Sequence, residues 1–470
     1  MRTVMRRLTL LLALVASCEP LAAEDSPQRA LAREILTELV GIDTTQASGS
    51  TAAVEALAGR LRRAGFAESD LLIGGRLPDK QNLLIRLRGR GRAKPILLIA
   101  HLDVVDAPRE GWQSEPFLLT ERDGFLYGRG AADDKHAAAE LTASLMRLRS
   151  EGFTPDRDLL VALTADEEGG NANGVVWLLQ NRPDLAAVDY AINLDAGGGQ
   201  LEASRRTWMT VQTSQKTYLS FAIEARSPGG HSSMPTPENA IYRLSAALAR
   251  LATGEFPFRF NETTRAFFAK RKAREGGELA ADLEAISRDP PDLAAARRVA
   301  AASPYYNSLM RTTCVATRVT AGHADNALPQ TARAILNARL FPGDTPEFVR
   351  DTLAGFIADP AITITQLGTP SPSPVTPIRP DVLGPIGDIC RELWPGVEVL
   401  PVMDPWSGDS GPLRRAGIPT FGVSGLFSDD ADGSHGANER IGVEAFHDAV
   451  EFTYRLLKTL SRSSSAMESR

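Results

Sequence analysis

Three consecutive carboxylates, Asp166, Glu167 and Glu168, follow an apolar run at residues 159–164 that has the composition of a buried strand. Like charges this close together repel one another unless cations neutralise them. Four more stretches place carboxylates or imidazoles beside predicted strands, helices or turns: AHLDVV (100–105), GRGAADDK (128–135), NLDAGGG (193–199) and DGSHGANE (432–439). Imidazole and carboxylate ligands are what a pair of hydrolytic divalent cations requires, and imidazole favours zinc over magnesium.

The spacing within two of these stretches has a mechanical meaning. His101 and Asp103 are two residues apart, so on a strand both side chains point the same way. A carboxylate there can accept the second ring N–H of a metal-bound imidazole and fix its tautomer. The adjacent Glu167 and Glu168 diverge instead, so that one can bind metal while the other takes a proton from a water molecule.

Each stretch also has an ordinary structural interpretation when it is taken alone. The HLD triplet is compatible with a strand that ends in a turn, and three acids are compatible with a solvated helix start. Asp133 or Asp134 could cap a helix, the NLDAGGG stretch could be a turn, and His435 could be a loop histidine. Their joint occurrence, each at a predicted strand end or loop, favours the metal site.

The elements that must position these residues follow from the hydrophobic pattern. Apolar runs of four to eight residues, NLLIRL, PILLIAHLDVV, DLLVALTADEE and DYAINLDAGGG, predict strands, with helical patterns between some of them. This alternation predicts an α/β fold with a mostly parallel sheet covered by helices on both faces. Ligands gather beyond the carboxyl ends of such strands, which is where the acids lie.

A second domain is predicted from residue 217 to residue 368. The order is strand, helix, strand, strand, helix, strand, with Thr345 as a cap of the second helix, and this order is typical of a ferredoxin-like α+β domain. A charged, alanine-rich helical insertion at 255–303 interrupts it. A linker rich in Pro and Ser at 368–380 leads back, so the first domain comprises residues 24–216 and 369–470.

The chain of 470 residues is long enough for two domains, and its net charge of -6 argues against nucleic acid as a partner. Residues 1–23 have the basic start, short apolar run and small residues of a signal peptide. We therefore expect export to the periplasm or secretion. Cleavage could follow the LAA before Glu24, or the VASC stretch could act as a lipobox that leaves a lipid anchor on Cys18. Cys314 and Cys390 could pair, but buried free thiols are the simpler interpretation.

The combined motifs resemble the di-zinc exopeptidase family, which includes glutamate carboxypeptidase, aminoacylase, carnosine dipeptidase and succinyl-diaminopimelate desuccinylase. They are HLDVV, GRGAADDK, DEEGG, LDAGGG, SPGGHSS, NALP, LNARLFPG and SHGANE, and they span nearly the whole chain from about residue 30. The middle motifs are most similar to the branch of Gly-Xaa carboxypeptidases and N-acyl amino acid hydrolases. The resemblance implies a zinc exopeptidase-like catalytic domain and an inserted lid domain that also serves for dimerisation.

The resemblance also implies roles for individual residues. One zinc ion would be held by His101, Asp133 and Asp195, and the other by Asp133, Glu168 and His435, with Asp133 bridging. Glu167 would be the general base and Asp103 would orient His101. In the lid, His231 would support the oxyanion, in many members across a dimer interface, while Asn326 and Arg339 would bind substrate.

Two positions depart from the family pattern. His136 stands where many members have glycine, and we expect it to be a helix-surface side chain and not a ligand. Gly411 stands where many members have arginine, so that recognition of a carboxylate would rest on Arg339 or Arg414.

The resulting hypothesis is a zinc-dependent dipeptidase or carboxypeptidase for small substrates with a free carboxylate, acting through metal-activated water and a Glu base. Deacylation of N-acyl amino acids on the same scaffold is the alternative. A non-catalytic peptide-binding module would be favoured by a missing ligand or base, and none is missing.

Overall fold

A computed structural model of the chain describes residues 26–428 and 432–462. The predicted signal peptide, with Cys18, therefore lies outside the described residues. Within those two ranges, none of the helices combines the length and the hydropathy that a membrane span requires. Cys314 and Cys390 are free thiols that belong to separate hydrophobic cores.

The secondary structure of the described residues consists of α-helices, β-strands and short 3₁₀ turns. The helices are α1 Pro27–Gly41, α2 Thr51–Arg63, α3 Lys135–Ser150, α4 Gly174–Asn181, α5 Ala240–Leu251, α6 Glu262–Arg271, α7 Gly277–Ser287, α8 Leu293–Ala302, α9 Pro304–Leu309, α10 Pro346–Ile357, α11 Pro380–Leu393, α12 Ser410–Arg415 and α13 Val443–Leu460. The strands are β1 Leu71–Leu77, β2 Lys80–Leu87, β3 Ile96–His101, β4 Thr120–Arg122, β5 Phe125–Tyr127, β6 Leu159–Thr164, β7 Ala191–Asn193, β8 Gly198–Glu202, β9 Arg205–Gln215, β10 Thr217–Arg226, β11 Gly230–His231, β12 Thr313–Ala321, β13 Ala327–Leu328, β14 Thr331–Leu340, β15 Thr363–Leu367, β16 Glu398–Asp404, β17 Thr420–Gly422, β18 Phe427–Ser428 and β19 Arg440–Gly442.

The larger domain is built on one mixed sheet with the strand order β1-β2-β6-β3-β7-β17-β9-β8-β18, and β16 pairs with β9. The central strands β6, β3, β7 and β17 are parallel, as the apolar runs predict. The flanks differ from that expectation, because β2 runs antiparallel to its neighbours β1 and β6, and β9 runs antiparallel to its neighbours β17 and β8. The apolar composition of β2 and β6 predicts buried strands but carries no information about strand direction.

Alternate residues of the central strands face two hydrophobic cores. Leu98 and Val161 face α1, α2, α3, α11 and α13, whereas Leu97 and Leu160 face α4 and α12. This alternation follows from the two-residue period of a strand. The sheet is therefore covered by helices on both sides, and its carboxyl edge is left open for a site.

The smaller domain contains the predicted order β10, α5, β12, β14, α10, β15. Its sheet has the strand order β12-β14-β10-β15 and is antiparallel throughout, which is the ferredoxin-like arrangement. The hydroxyl of Thr345 accepts the N–H of Phe348 at the start of α10, which confirms the predicted cap. Helices α5 and α10 cover one face of this sheet, and a short ribbon of β11 and β13 lies at its end.

The insertion at 255–303 is helical, and α6 to α8 with the following α9 form one small bundle. Phe267, Phe268 and Leu283 of this bundle pack against Leu400 and Met403 of β16. By its packing, the insertion therefore belongs to the larger domain and not, as predicted from the sequence, to the smaller domain that it interrupts.

The chain consequently crosses between the domains four times. The crossings lie at residues 216–217, 252–261, 310–312 and 368–379. The second and third crossings are joined to each other, because the N–H of Arg259 donates to the Met310 carbonyl (2.7 Å) and Arg311 Nη1 donates to the Phe256 carbonyl (3.1 Å).

Candidate metal centre

Five side chains that lie far apart in the sequence meet at the carboxyl edge of the parallel strands. His101 ends β3, Glu168 follows β6, Asp195 follows β7, and Asp133 lies in the loop before α3. His435 comes from the loop 432–439. One ligand atom from each of His101, Asp133 and Asp195 lies within 4.8 Å of the others, and the same holds for Asp133, Glu168 and His435. These are the two ligand sets that the resemblance implies.

Asp133 is shared between the two sets. Its Oδ1 lies 2.9 Å from His101 Nε2, and its Oδ2 lies 3.0 Å from His435 Nε2. The other members complete the sets, since His435 Nε2 lies 2.9 Å from Glu168 Oε1 and His101 Nε2 lies 3.7 Å from Asp195 Oδ1. A single carboxylate thus offers one oxygen to each side, which is the geometry of a bridging ligand.

The charges of the site require neutralisation. Burial and the neighbouring Asp133 carboxylate raise the pKa of Glu168 to about 7. Burial also raises the pKa of Asp195 and, well above its usual value, that of Glu167. Across residues 26–428 and 432–462, no lysine or arginine forms an ion pair with Asp133, Glu167, Glu168 or Asp195. The donor set and its unbalanced charge therefore fit two divalent cations.

Glu167 lies beside the Asp195 half of the site. A Cβ atom added to Gly408 would lie 3.2 Å from Glu167 Oε1 and 3.8 Å from Asp195 Oδ2. The glycine therefore leaves room next to both carboxylates. Glu167 is not a member of either ligand set, so its carboxylate remains available for proton transfer.

Asp103 lies next to His101, but its contacts differ from the predicted ones. His101 Nδ1 lies 3.0 Å from the backbone carbonyl of Asp103, whereas the Asp103 carboxylate is 3.7 Å away. That carboxylate instead accepts the backbone N–H groups of Glu167 and Glu168, both at 3.0 Å. The peptide carbonyl orients the imidazole, and the side chain fixes the loop that carries Glu167 and Glu168.

The first of the three consecutive acids has a different partner. Asp166 accepts a hydrogen bond from the buried Lys80 ammonium (2.9 Å) and another from the backbone N–H of Ala172 (2.7 Å). Its backbone φ of 59° lies in the left-handed region, and this turn directs Glu167 and Glu168 into the site. Lys80 thus neutralises Asp166, whereas neutralisation of Glu167 and Glu168 is left to the metal site.

Glu439 is a functional residue that the sequence reasoning missed. Its buried carboxylate accepts the N–H groups of Gly130 (3.1 Å), Ala132 (2.7 Å) and Asp133 (3.0 Å), and it pairs with Arg129. It therefore holds the loop that presents the bridging Asp133. Its place four residues after His435, in a stretch already singled out, was the available signal.

His136 is not a surface residue, so that expectation is wrong. Its imidazole is buried, with Nδ1 2.8 Å from Glu140 Oε1 and Nε2 3.5 Å from Asp134 Oδ1. The cause is that α3 is enclosed by α1, α13 and the sheet, so that even its polar positions are covered. His136 belongs to neither ligand set.

Arg414 cannot serve as a carboxylate receptor. It is buried, and its guanidinium already donates to Thr376 Oγ1 (3.1 Å), to Gln212 Oε1 (3.0 Å) and to the carbonyl of Thr420 (2.8 Å). Of the two arginines considered from the sequence, only Arg339 has a guanidinium without a hydrogen-bond acceptor among the described residues.

The three predicted lid residues do not lie among the five side chains of the candidate metal centre. His231 is exposed on the ribbon of β11 and β13, where its Nδ1 lies 2.7 Å from Ser233 Oγ. Asn326 lies close to His231, because the backbone carbonyl of Asn326 accepts the N–H of the adjacent Ser232 (3.0 Å). Arg339 lies at the opposite end of β14, next to the larger domain. In the described part of the chain, no hydrogen bond or ion pair joins any of the three to the five clustered side chains.

A family model described as peptidase family M20/M25/M40 matches residues 97–459. The human N-fatty-acyl-amino acid synthase/hydrolase PM20D1 is 31% identical over 380 residues, which cover 78% of this chain and 74% of the human protein.

Two solved structures share the fold. An M20 family metallo-carboxypeptidase from Sulfolobus solfataricus has a TM-score of 0.65 at 18% identity, covering 92% of this chain and 99% of that one. A dinuclear metal-binding peptidase of the M20 family from Bacillus subtilis has a TM-score of 0.59 at 14% identity, covering 92% and 98%. The chain therefore belongs to peptidase family M20/M25/M40 and is a hydrolase of peptide or amide bonds.

Proposed function

We propose that the protein uses two zinc ions to hydrolyse the amide bond of small substrates that carry a free carboxylate. The observation that supports this most directly is the Asp133 carboxylate, one oxygen of which lies next to His101 and the other next to His435. The neighbouring Glu167 belongs to neither ligand set and is therefore available as a base. Two imidazoles and three carboxylates without a thiolate are a donor set that suits zinc.

The residues divide the reaction between them. His101, Asp133 and Asp195 would hold one cation, and Asp133, Glu168 and His435 the other. Bound cations of this kind supply an activated water and polarise the amide carbonyl. Glu167 takes the proton of the attacking water and returns it to the leaving amine. The backbone carbonyl of Asp103 orients His101, and the Asp103 carboxylate fixes the loop that carries Glu167.

Two substrate classes fit this site. Dipeptides and N-acyl amino acids both present a carboxylate next to the scissile amide, and Arg339 has donors available to receive it. The similarity to the human N-fatty-acyl-amino acid synthase/hydrolase, over 78% of this chain, supports N-acyl amino acids as a substrate class to test beside dipeptides.

Two further proposals concern the setting of the enzyme. Residues 1–23 support export to the periplasm or beyond, with or without a lipid anchor on Cys18. A homodimer through the smaller domain is supported by the exposed edge strand β12, where Val315 and Val319 are 61% and 54% exposed. A partner's lid could then bring His231 and Asn326 towards the cleft.

The proposed function is tested with a panel of dipeptides and N-acyl amino acids, assayed with zinc and then with a chelator. The Glu167→Ala variant should bind two zinc ions per chain and lose about 100- to 10,000-fold in kcat, which is the usual share of a general base. Glu55→Ala, an exposed glutamate on α2, is the matched control and should keep full activity. Hydrolysis that survives complete zinc removal, or full activity of Glu167→Ala, would reject the proposal.

A further inference from the structure

A series of buried polar side chains connects α13 with the candidate metal centre. The Thr453 hydroxyl donates to Glu140 Oε2 (2.8 Å), and Glu140 Oε1 lies 2.8 Å from His136 Nδ1. His136 Nε2 lies 3.5 Å from Asp134 Oδ1, and Asp134 Oδ2 accepts the backbone N–H of His101 (3.2 Å). All of these residues are buried. We call Thr453, Glu140, His136 and Asp134 the polar network; it ends on His101, a member of one ligand set.

His136 supplies the positive charge of the polar network. Each of its ring nitrogens faces a carboxylate oxygen, so both nitrogens carry a hydrogen and the imidazole is positively charged. Within residues 26–428 and 432–462, no lysine or arginine forms an ion pair with Glu140 or Asp134, and Asp134 Oδ1 has no hydrogen bond. The nearby imidazole is therefore the group that holds this oxygen of Asp134.

The pairing of His136 with Glu140 is not explained by the stability of α3 alone. The two residues are one helical turn apart, and the cost of removing two charges from water largely offsets their attraction. Apolar side chains fill neighbouring positions of the same helix, as Ala137 and Leu141 do. Because the pair reaches a third charged group, its effect lies in the position of that group, Asp134.

Asp134 acts on two ligands of the metal centre at once. Its carboxylate fixes the backbone of His101, the last residue of β3, and its own backbone continues directly from the bridging Asp133. Glu439 holds the N–H of Asp133 from the other side. Since His136 holds one oxygen of Asp134, the other oxygen stays directed at the His101 N–H, and the end of β3 stays joined to the loop of Asp133.

We propose that His136 is a positioning residue of the metal centre, which holds the Asp134 carboxylate against the His101 N–H and so keeps His101 and Asp133 side by side as zinc ligands. This assignment rests on the proposed two-zinc site. The glycine that many members of the family carry at this position has no side chain that could make the contact. The polar network is therefore a feature of this protein, and the exchange of glycine for histidine has a consequence for metal binding.

The effect should be concentrated in one of the two ligand sets. The polar network ends on His101, whereas in the described part of the chain no hydrogen bond joins it to Glu168 or His435. Residues that orient metal ligands contribute about 10- to 100-fold to metal affinity. Loss of the polar network should therefore weaken zinc binding by His101, Asp133 and Asp195 far more than binding by the set that contains His435.

The test titrates the metal-free protein with zinc against a competing chelator, one ligand set at a time. The His435→Ala background leaves the His101 set complete, and the Asp195→Asn background leaves the other set complete. His136→Met together with Glu140→Leu removes the pair from each background without leaving an unpaired charge on α3. We expect zinc affinity to fall about 10- to 100-fold in the first background and less than about threefold in the second.

Two further variants distinguish positioning from a structural role. Thr142→Val changes another buried polar side chain of α3, one without a hydrogen bond to the polar network in the described ranges, and should keep wild-type zinc affinity. His136→Lys keeps a cation next to both carboxylates and should retain more affinity than His136→Met. Hydrogen exchange of the metal-free protein gives a measurement without zinc. The N–H of His101 should exchange faster once the pair is removed, whereas that of Leu98, inside β3, should not.

The outcomes separate this inference from the proposed function. If the wild-type protein binds two zinc ions but cleaves no substrate of the panel, the proposed substrates are wrong, and the zinc affinities still decide the role of His136. If the wild-type protein binds no zinc, the proposed function and the inference both fail. If it is an active two-zinc enzyme and loss of the pair lowers only the melting temperature, or weakens both ligand sets equally, His136 has a structural role and the inference alone is wrong.

Discussion

The oxygens of Asp133 contact one histidine each, and this determines how the metal centre should respond to loss of single ligands. Asp133→Asn weakens both ligand sets, whereas Asp195→Asn removes a ligand from only one of them. We expect metal analysis to find close to no zinc in the first variant and about one zinc ion per chain in the second. An Asp133→Asn protein that keeps two tightly bound ions would exclude the bridging role.

The buried Lys216, between β9 and β10, should make the stability of the protein depend on pH. Burial and the charge of Arg339 lower the pKa of Lys216 from 10.5 to about 7, so folding disfavours the protonated amine. This penalty is complete below pH 7, decreases as the pH rises, and is absent above about pH 10.5. Lys216→Met should therefore be more stable than the wild type at pH 7, and this difference should decrease towards pH 10.5.

Urea unfolding between pH 7 and pH 10.5 measures this effect. Lys94→Met, which removes an exposed lysine, is the matched control and should show no pH-dependent difference from the wild type. A stability difference for Lys216→Met that stays constant with pH would contradict a buried amine of lowered pKa.

At the scale of elements, the loop after β6 depends on Asp103. Asp103→Asn keeps the backbone carbonyl that orients His101 but replaces one of the two acceptors for Glu167 and Glu168 with an amide donor. We expect zinc affinity to fall about 10- to 100-fold in the set that contains Glu168, with a similar fall in kcat. The His101 set should retain its ion. Zinc titration of the metal-free variant distinguishes the two sets, and equal weakening of both would contradict this division of roles.

The elements also show what the sequence could and could not predict. β3 and β6 are short apolar runs, and their ends carry His101 and the acids, so that strands and ligands were predicted together. β9 and β16 were not predicted. Buried Gln212, Thr213 and Ser214 give β9 a polar composition, and Pro401 lies inside β16, where proline normally argues against a strand.

Asp103 and His136 show which contacts near the site could not be predicted from the sequence. The spacing in the sequence predicts that Asp103 lies next to His101. Only the turn after β3 determines that the carbonyl of Asp103, and not its carboxylate, faces the imidazole. The burial of His136 depends on α13, more than 300 residues further along the chain. Contacts of this kind have no local signal.

At the scale of the whole molecule, His231 lies on the lid, and within residues 26–428 and 432–462 no hydrogen bond or ion pair joins it to the five clustered side chains of its own chain. If a partner supplies His231, two inactive variants should complement each other. Mixtures of refolded Glu167→Ala and His231→Ala chains should regain about a quarter of wild-type activity, since half of the dimers are mixed and each has one intact site. Sedimentation establishes the dimer. A dimer without complementation would place His231 in its own chain's site.

The four crossings between the domains have a mechanical consequence. A domain inserted once is joined to its host by two segments and can turn about the line between them. Here the segments around Arg259 and Arg311 form an additional bonded pair, so any swing of the lid must twist this pair as well. A large opening would strain this bonded pair and the backbone hydrogen bond from Lys216 to the Asp404 carbonyl, so we expect small substrates to exchange through modest tilting of the lid.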